Sequence, residues 1–283
     1  LLTLLDMTAD ELEFALKEDD FLFVKLGNLK PKCSKVTYIK PDSKAIARAK
    51  EIKQLVQQHF KASLARPTLP RFAFVKDLQS TEGLPKKETA QYSNENGLRF
   101  IYSYFGIFGD PLIDTIHDPY PDGLLARLAA KGVNGIWMHV VLHQLAPGGI
   151  DFPEFGEGHH TRLHNLRRIV ERAKQYGIAV YLYMNEPRAM PLSFFKNRQE
   201  MMGTQEGAFA ALCTSNEKVL NWMSRSLAHV FKQAPDLGGV FTITASENFT
   251  NCASHGNQKD CPRCSRRDYA DIIAGVNEAI ANG

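Results

Sequence analysis

The stretch Ile178-Ala-Val-Tyr-Leu-Tyr-Met184 runs straight into Asn185-Glu186-Pro187-Arg188. A short apolar run rich in branched and aromatic side chains, preceded by Gly177 and stopped by polar residues, reads as a buried strand whose end carries chemistry. The same unit recurs on either side. Upstream, Leu163, Leu166, Ile169, Val170 and Ala173 mark one face of an amphipathic helix that Gly177 closes. Before it lie a strand at Gly135–Leu142, a helix around Leu124, Leu125 and Leu128 closed by Gly132, and a first strand at Arg99–Phe105. Downstream come a helix carrying Val219, Leu220, Met223, Leu227, Val230 and Phe231, a fourth strand at Gly239–Thr244, and a last helix at Tyr269–Ile280.

Near-continuously apolar strands separated by helices predict a parallel sheet covered on its faces. Such a series either closes into a (β/α) barrel or lies open as a doubly wound sheet. No Gly-rich phosphate turn follows any strand, which removes the dinucleotide-binding alternative and favours a TIM-type barrel. The chain shows four strand-helix units where a barrel takes about eight. The other strands are expected from a longer polypeptide, from the N-terminal region or from a partner, a homo-oligomer included.

Residues 98–283 are accordingly read as a (β/α)-barrel catalytic domain, incomplete in this chain, and residues 1–97 as a small α+β domain with a linker. In the latter, Thr8 and Glu11 form a capping-box start, and Ile46, Ala49, Ile52, Val56 and Phe60 recur at helical spacing over 43–60. Strands are expected at 21–24, 36–39 and 72–75, and the polar stretch 80–97 is the linker.

Composition narrows the partners. The chain has 283 residues, a net charge of +3, 44% apolar and 23% charged residues, which is ordinary for a globular protein. So small and dispersed a surplus makes no basic face, so no nucleic-acid partner is expected. No apolar run reaches the ~18 residues that cross a bilayer, so no membrane partner is expected either. The chain starts at Leu1 without Met and lacks a signal-peptide pattern, which suggests a processed or trimmed terminus. Its compartment stays open: extracytoplasmic if a leader has been removed, cytoplasmic if its cysteine loop holds zinc.

Chemistry is expected at the C-terminal ends of the strands. The first leads through aromatic Tyr104 to Asp110, the second carries His139 and ends at His143, the third ends at Asn185, Glu186 and Arg188, and the fourth runs into Ser246-Glu247-Asn248. Carboxylates at two strand ends, flanked by amides, imidazoles and rings, suit hydrolysis of a sugar linkage: an acid for the leaving oxygen, hydrogen bonds for hydroxyls, rings for stacking.

The Asn185-Glu186-Pro187 and Ser246-Glu247-Asn248 strand ends resemble those of (β/α)-barrel glycoside hydrolases, in the β-N-acetylhexosaminidase-like and retaining β-glycosidase groups, over about residues 98–283. The resemblance implies a carbohydrate substrate, no cofactor for catalysis, and a general acid at the end of the fourth strand, Glu247, with Glu186 as the second carboxylate. Asn185, Asn248, His139, His143, Tyr104 and Asp110 would then hold the sugar, and Arg188 an acidic one. The chain departs from both patterns. Ser246 stands where the hexosaminidases have the Asp that holds an acetamido group, and the Asn-Glu pair of the retaining enzymes falls here on the third strand. Two other readings remain open: a metal-dependent barrel hydrolase using His139 and His143, and a non-catalytic module binding a glycan or a partner.

Cys252, His255, Cys261 and Cys264 fall within thirteen residues in the order C-x2-H-x5-C-x2-C. Paired ligands at two-residue gaps suit a closed tetrahedral zinc site, which would stiffen the loop after the fourth strand. The alternatives are a disulfide from Cys252 to Cys261 or Cys264, and free thiols. Cys33 and Cys213 stand alone in sequence and read as buried thiols.

Overall fold

The computed structural model describes Thr8 and residues 39–60, 78–84, 97–113, 117–245 and 248–283. The chain forms two compact units, Leu1–Val75 and Lys76–Gly283. In the first, helix α1 spans Ser43–Phe60 as its periodicity predicts. Along the apolar stripe that this spacing makes, Ile46 and Ile52 are exposed and Val56 is half-buried. The expected helix start at Thr8 and the strands at 21–24, 36–39 and 72–75 fall, but for Thr8 and Ile39, outside the described residues.

The second unit begins earlier than the 97/98 boundary read from sequence. Residues 78–80 lie against helix α2, Asp122–Ala130, where Arg127 Nη1 donates to the Ser80 carbonyl at 3.0 Å. The unit is built on four parallel strands, β1 Phe100–Tyr102, β2 Gly135–His139, β3 Ala179–Met184 and β7 Gly239–Thr242, in the order β1-β2-β3-β7. These are the four strands expected, parallel and in the expected order, with trimmed ends. β1 stops at Tyr102 because Ser103–Gly106 coils into a 3-10 turn, with the Ser103 N–H donating to the Tyr120 hydroxyl. Helices α2, α4 (His159–Gln175), α5 (Glu217–Gln233) and α6 (Tyr269–Asn282) stand where the periodicity puts them; Gly132 and Gly177, just past α2 and α4, adopt the positive φ that favours glycine.

The described strands form an open sheet with edges at β1 and β7. Its two faces differ. Ile136, Met138, Val180, Leu182 and Met184 are fully buried beneath the helices, in a core shared with Leu125, Leu166, Trp222 and Leu227. The other face is a sheet of rings, not the covered face the sequence suggested. Phe241 packs 5.3 Å from Phe100, 5.2 Å from Trp137 and 4.9 Å from Tyr183, and Tyr102 sits 4.6 Å from Trp137. None of these aromatic residues is fully buried.

A second sheet, not foreseen from sequence, is antiparallel in the order β4-β6-β5, with β4 Met190–Pro191, β5 Met202–Glu206 and β6 Phe209–Leu212. Its strands are too short and mixed in polarity to give a period-2 signal. It inserts between β3 and α5 and brings Leu212-Cys213 under the loop that follows β7.

Candidate functional site

Backbone hydrogen bonds sew together the loops that leave β2, β3 and β7. Val140 N–H donates to Tyr183 O at 3.1 Å, Ile243 N–H to Met184 O at 3.3 Å, and Ala189 N–H to Phe249 O at 3.2 Å. The last of these sets the 248–249 segment directly beside the Asn185–Arg188 turn. Ser246 and Glu247, and with Glu247 the principal candidate acid, lie outside the described residues. What the structure describes is their frame. The Thr244 carbonyl accepts from Thr250 Oγ1 at 2.7 Å and Asn251 Nδ2 at 2.6 Å, so the loop closes on itself between 244 and 250.

Glu186 is buried at the centre of this arrangement, 1% exposed. Its Oε1 accepts from the Leu142 N–H at 2.7 Å, at the start of the short helix α3 (Leu142–Leu145), and its Oε2 from the Arg188 N–H at 3.2 Å. Burial pushes its pKa up to about 7, against the two backbone donors and the Arg188 charge that lower it. The carboxyl therefore ties the end of β2 to the end of β3.

Around it stand groups with spare bonding capacity. Asn185 is 3% exposed; its Nδ2 donates to the Tyr183 hydroxyl at 3.1 Å, while its Oδ1 has no partner among the described residues. Half-buried Arg188 has no carboxylate within ion-pair distance among the described residues, and its backbone N–H donates to Glu186. Burial first, and then the Arg188 charge, hold His139 and His143 down to about pKa 4. Both imidazoles are thus neutral at physiological pH, each with one donor and one acceptor nitrogen. His139 leans on Tyr183 and His143 on Phe155, with ring centroids 5.6 and 5.0 Å apart. A cavity of about 430 Å³ opens beside His143, lined also by Phe155, Glu154, Arg162 and Met190.

Two other expected residues, Asp110 and Tyr104, stand apart from this cluster. Asp110 is held by Arg162, with an ion pair at 2.8 Å, because the loop after β1 folds onto α4. Tyr104 lies exposed in the 3-10 turn, its ring 4.5 Å from Phe108. Asn248 is half-buried on the loop after β7, next to Phe249, whose carbonyl joins the cluster through the Ala189 N–H. The strand-end histidines belong to no metal-ligating group among the described residues.

The one such group there is four cysteines, and it corrects the ligand set read from sequence. Cys213, Cys252, Cys261 and Cys264 are buried, with sulfurs all within 4.8 Å of one another. Cys213, read as a lone thiol, takes the place assigned to His255. The reason is local: His255 adopts a positive φ of 56° that turns it outward, and its Nδ1 sits 2.9 Å from Glu206 on β5. No disulfide joins these four. Cys213 could not be found by spacing because β6 delivers it from 39 residues before Cys252.

No model of a known protein family matches the chain, and no curated protein matches it.

Proposed function

We propose that this chain carries four strand-helix units of a (β/α)-barrel glycoside hydrolase, with Glu247 as the proton donor to the leaving oxygen and a carbohydrate as substrate. One observation carries the reading: the fourth parallel strand, β7, leads into the Glu247 loop, and the Phe249–Ala189 bond fastens that loop to the Asn185–Arg188 turn. In this reading the aromatic face of the sheet, partly exposed here, is the interior of a barrel whose remaining strands come from elsewhere.

The chemistry follows from the frame. Glycosidic cleavage transfers a proton to the leaving oxygen as the anomeric C–O bond breaks, and water supplies the hydroxyl that replaces it. Glu247 gives that proton. Glu186, tied to two backbone N–H groups and closed to solvent, acts as the positioning residue that holds the ends of β2 and β3 in register. Neutral His139 and His143 and the Oδ1 of Asn185, which has no partner among the described residues, bond sugar hydroxyls, and Arg188 supplies positive potential. No cofactor takes part, and the cysteine cluster has a structural task.

The test is Glu247→Gln, which keeps the shape and removes the titrating proton. Turnover of a glycoside with a poor leaving group is expected to fall about 10²–10⁴-fold, and that of an activated aryl glycoside much less. Equal losses on both would reassign Glu247 to another role, and no loss on either would sink the proposal.

A further inference from the structure

We infer that Cys213, Cys252, Cys261 and Cys264 bind one Zn²⁺ as a closed tetrathiolate site that staples the β5–β6 hairpin to the loop after β7. The inference is independent of the glycosidase reading.

The geometry is that of ligands around an ion. Cys213 Sγ lies 3.6 Å from the sulfurs of both Cys261 and Cys264. A tetrahedron with Zn–S bonds of about 2.3 Å has S···S edges of about 3.8 Å, whereas a disulfide needs about 2.05 Å. The side chains come from three segments: the end of β6, the loop after β7, and the Cys261-Pro262-Arg263-Cys264 turn before α6. Nothing in the local sequence would draw four thiols from three segments into one buried cluster, and one metal ion gives each a shared partner. The packing reserves the place: a Cβ at Gly203 of β5 would stand 2.3 Å from Cys252 Sγ.

The surroundings match the charge such a site carries. Binding releases four protons, and four thiolates around one dication leave two negative charges in a buried place. Arg263 Nε donates to Cys213 Sγ at 3.2 Å, and Arg267 Nη1 donates at 3.0 Å to Ser215 Oγ, which lies 3.1 Å from Cys264 Sγ. Outer-shell donors of this kind orient thiolates and offset their charge. With all four positions filled by sulfur, no site is left for water, so the ion has a structural task. It has a loop to hold: Asn251, next to Cys252, grips the Thr244 carbonyl, and Thr250 does the same.

The experiment uses the full chain, expressed with both zinc and iron present and purified without chelator. Elemental analysis is expected to give one zinc per chain, and Co²⁺ exchange the thiolate-to-cobalt charge-transfer and d–d absorption of a tetrahedral tetrathiolate site. Cys213→Ser is expected to weaken Zn²⁺ binding at least 100-fold, and His255→Ala to leave stoichiometry and cobalt spectrum unchanged. Should Cys213→Ser fail to fold, the wild-type cobalt spectrum still separates ligation by four sulfurs from ligation by three sulfurs and one nitrogen. A chain with no bound metal, one carrying iron, or one whose His255→Ala variant loses the metal would overturn the inference.

Discussion

The cysteine cluster and the strand-end cluster both gather polar side chains from distant segments, and they use them in opposite ways. The four thiols are buried, identical in chemistry and turned toward one another, with Arg263 and Ser215 completing their shell. Around Glu186 the groups are mixed in type and only partly satisfied among the described residues: Asn185 Oδ1 lacks a partner, Arg188 lacks a carboxylate, and both histidines stay neutral. A cluster whose bonding capacity is used up internally stabilises a fold, whereas one that leaves donors, acceptors and a cation over is suited to take a substrate. Glu186 belongs to both descriptions, since its two oxygens are engaged while its proton affinity is tuned toward neutrality.

That contrast breaks most visibly at the metal. Stripping it with a strong chelator is expected to lower the thermal midpoint of the chain by about 10 °C or more, with restoration by Zn²⁺. An unchanged calorimetric midpoint would mean that the thiol cluster is no more structural than the strand-end one.

Glu186 sharpens the contrast through pH. Its folded pKa of about 7 stands above the ~4.3 of a free Glu. The folded chain therefore keeps a proton that the unfolded chain releases. The resulting stability is complete below about pH 4.3 and is lost as pH rises through 7, a change of about 4 kcal/mol. Glu186→Gln is expected to remove this slope from a denaturation series between pH 4.5 and 7.5. The variant should also be less stable at low pH, because its amide N–H₂ meets one of two backbone donors, a cost of about 1–3 kcal/mol. Parallel pH profiles for variant and wild type would contradict the burial-driven shift.

The smallest effect expected is electrostatic. Arg188 is the second cause, after burial, that holds His139 and His143 near pKa 4. Arg188→Gln is expected to raise both by part of a unit, read from the ring protons in an NMR titration, with no change in metal content. Fixed histidine values would show that Arg188 points away from the pair.

The order, direction and approximate place of the parallel strands were legible because each is an apolar run flanked by helices with clear 3.6-residue periodicity, as in Ile178–Met184 between α4 and the polar turn. The strand ends were legible for the same reason, since polar residues directly after such a run must lie at the sheet's C-terminal edge. The antiparallel sheet was not, because β4, β5 and β6 are held by pairing across short segments and carry no pattern of their own.

The sequence by itself determined that a parallel α/β unit exists here, which residues stand at its strand ends, and that cysteines after β7 come close together. Only the tertiary structure decided which cysteines share a site, that Glu186 is anchored by two backbone N–H groups, and that Asp110 is taken up by Arg162. Spacing along the chain constrains ligands a few residues apart, but the fourth thiol arrives through the β5–β6 hairpin. Whether a charged group is free or spent depends on which neighbour the fold brings within about 3 Å, and no local pattern encodes that distance.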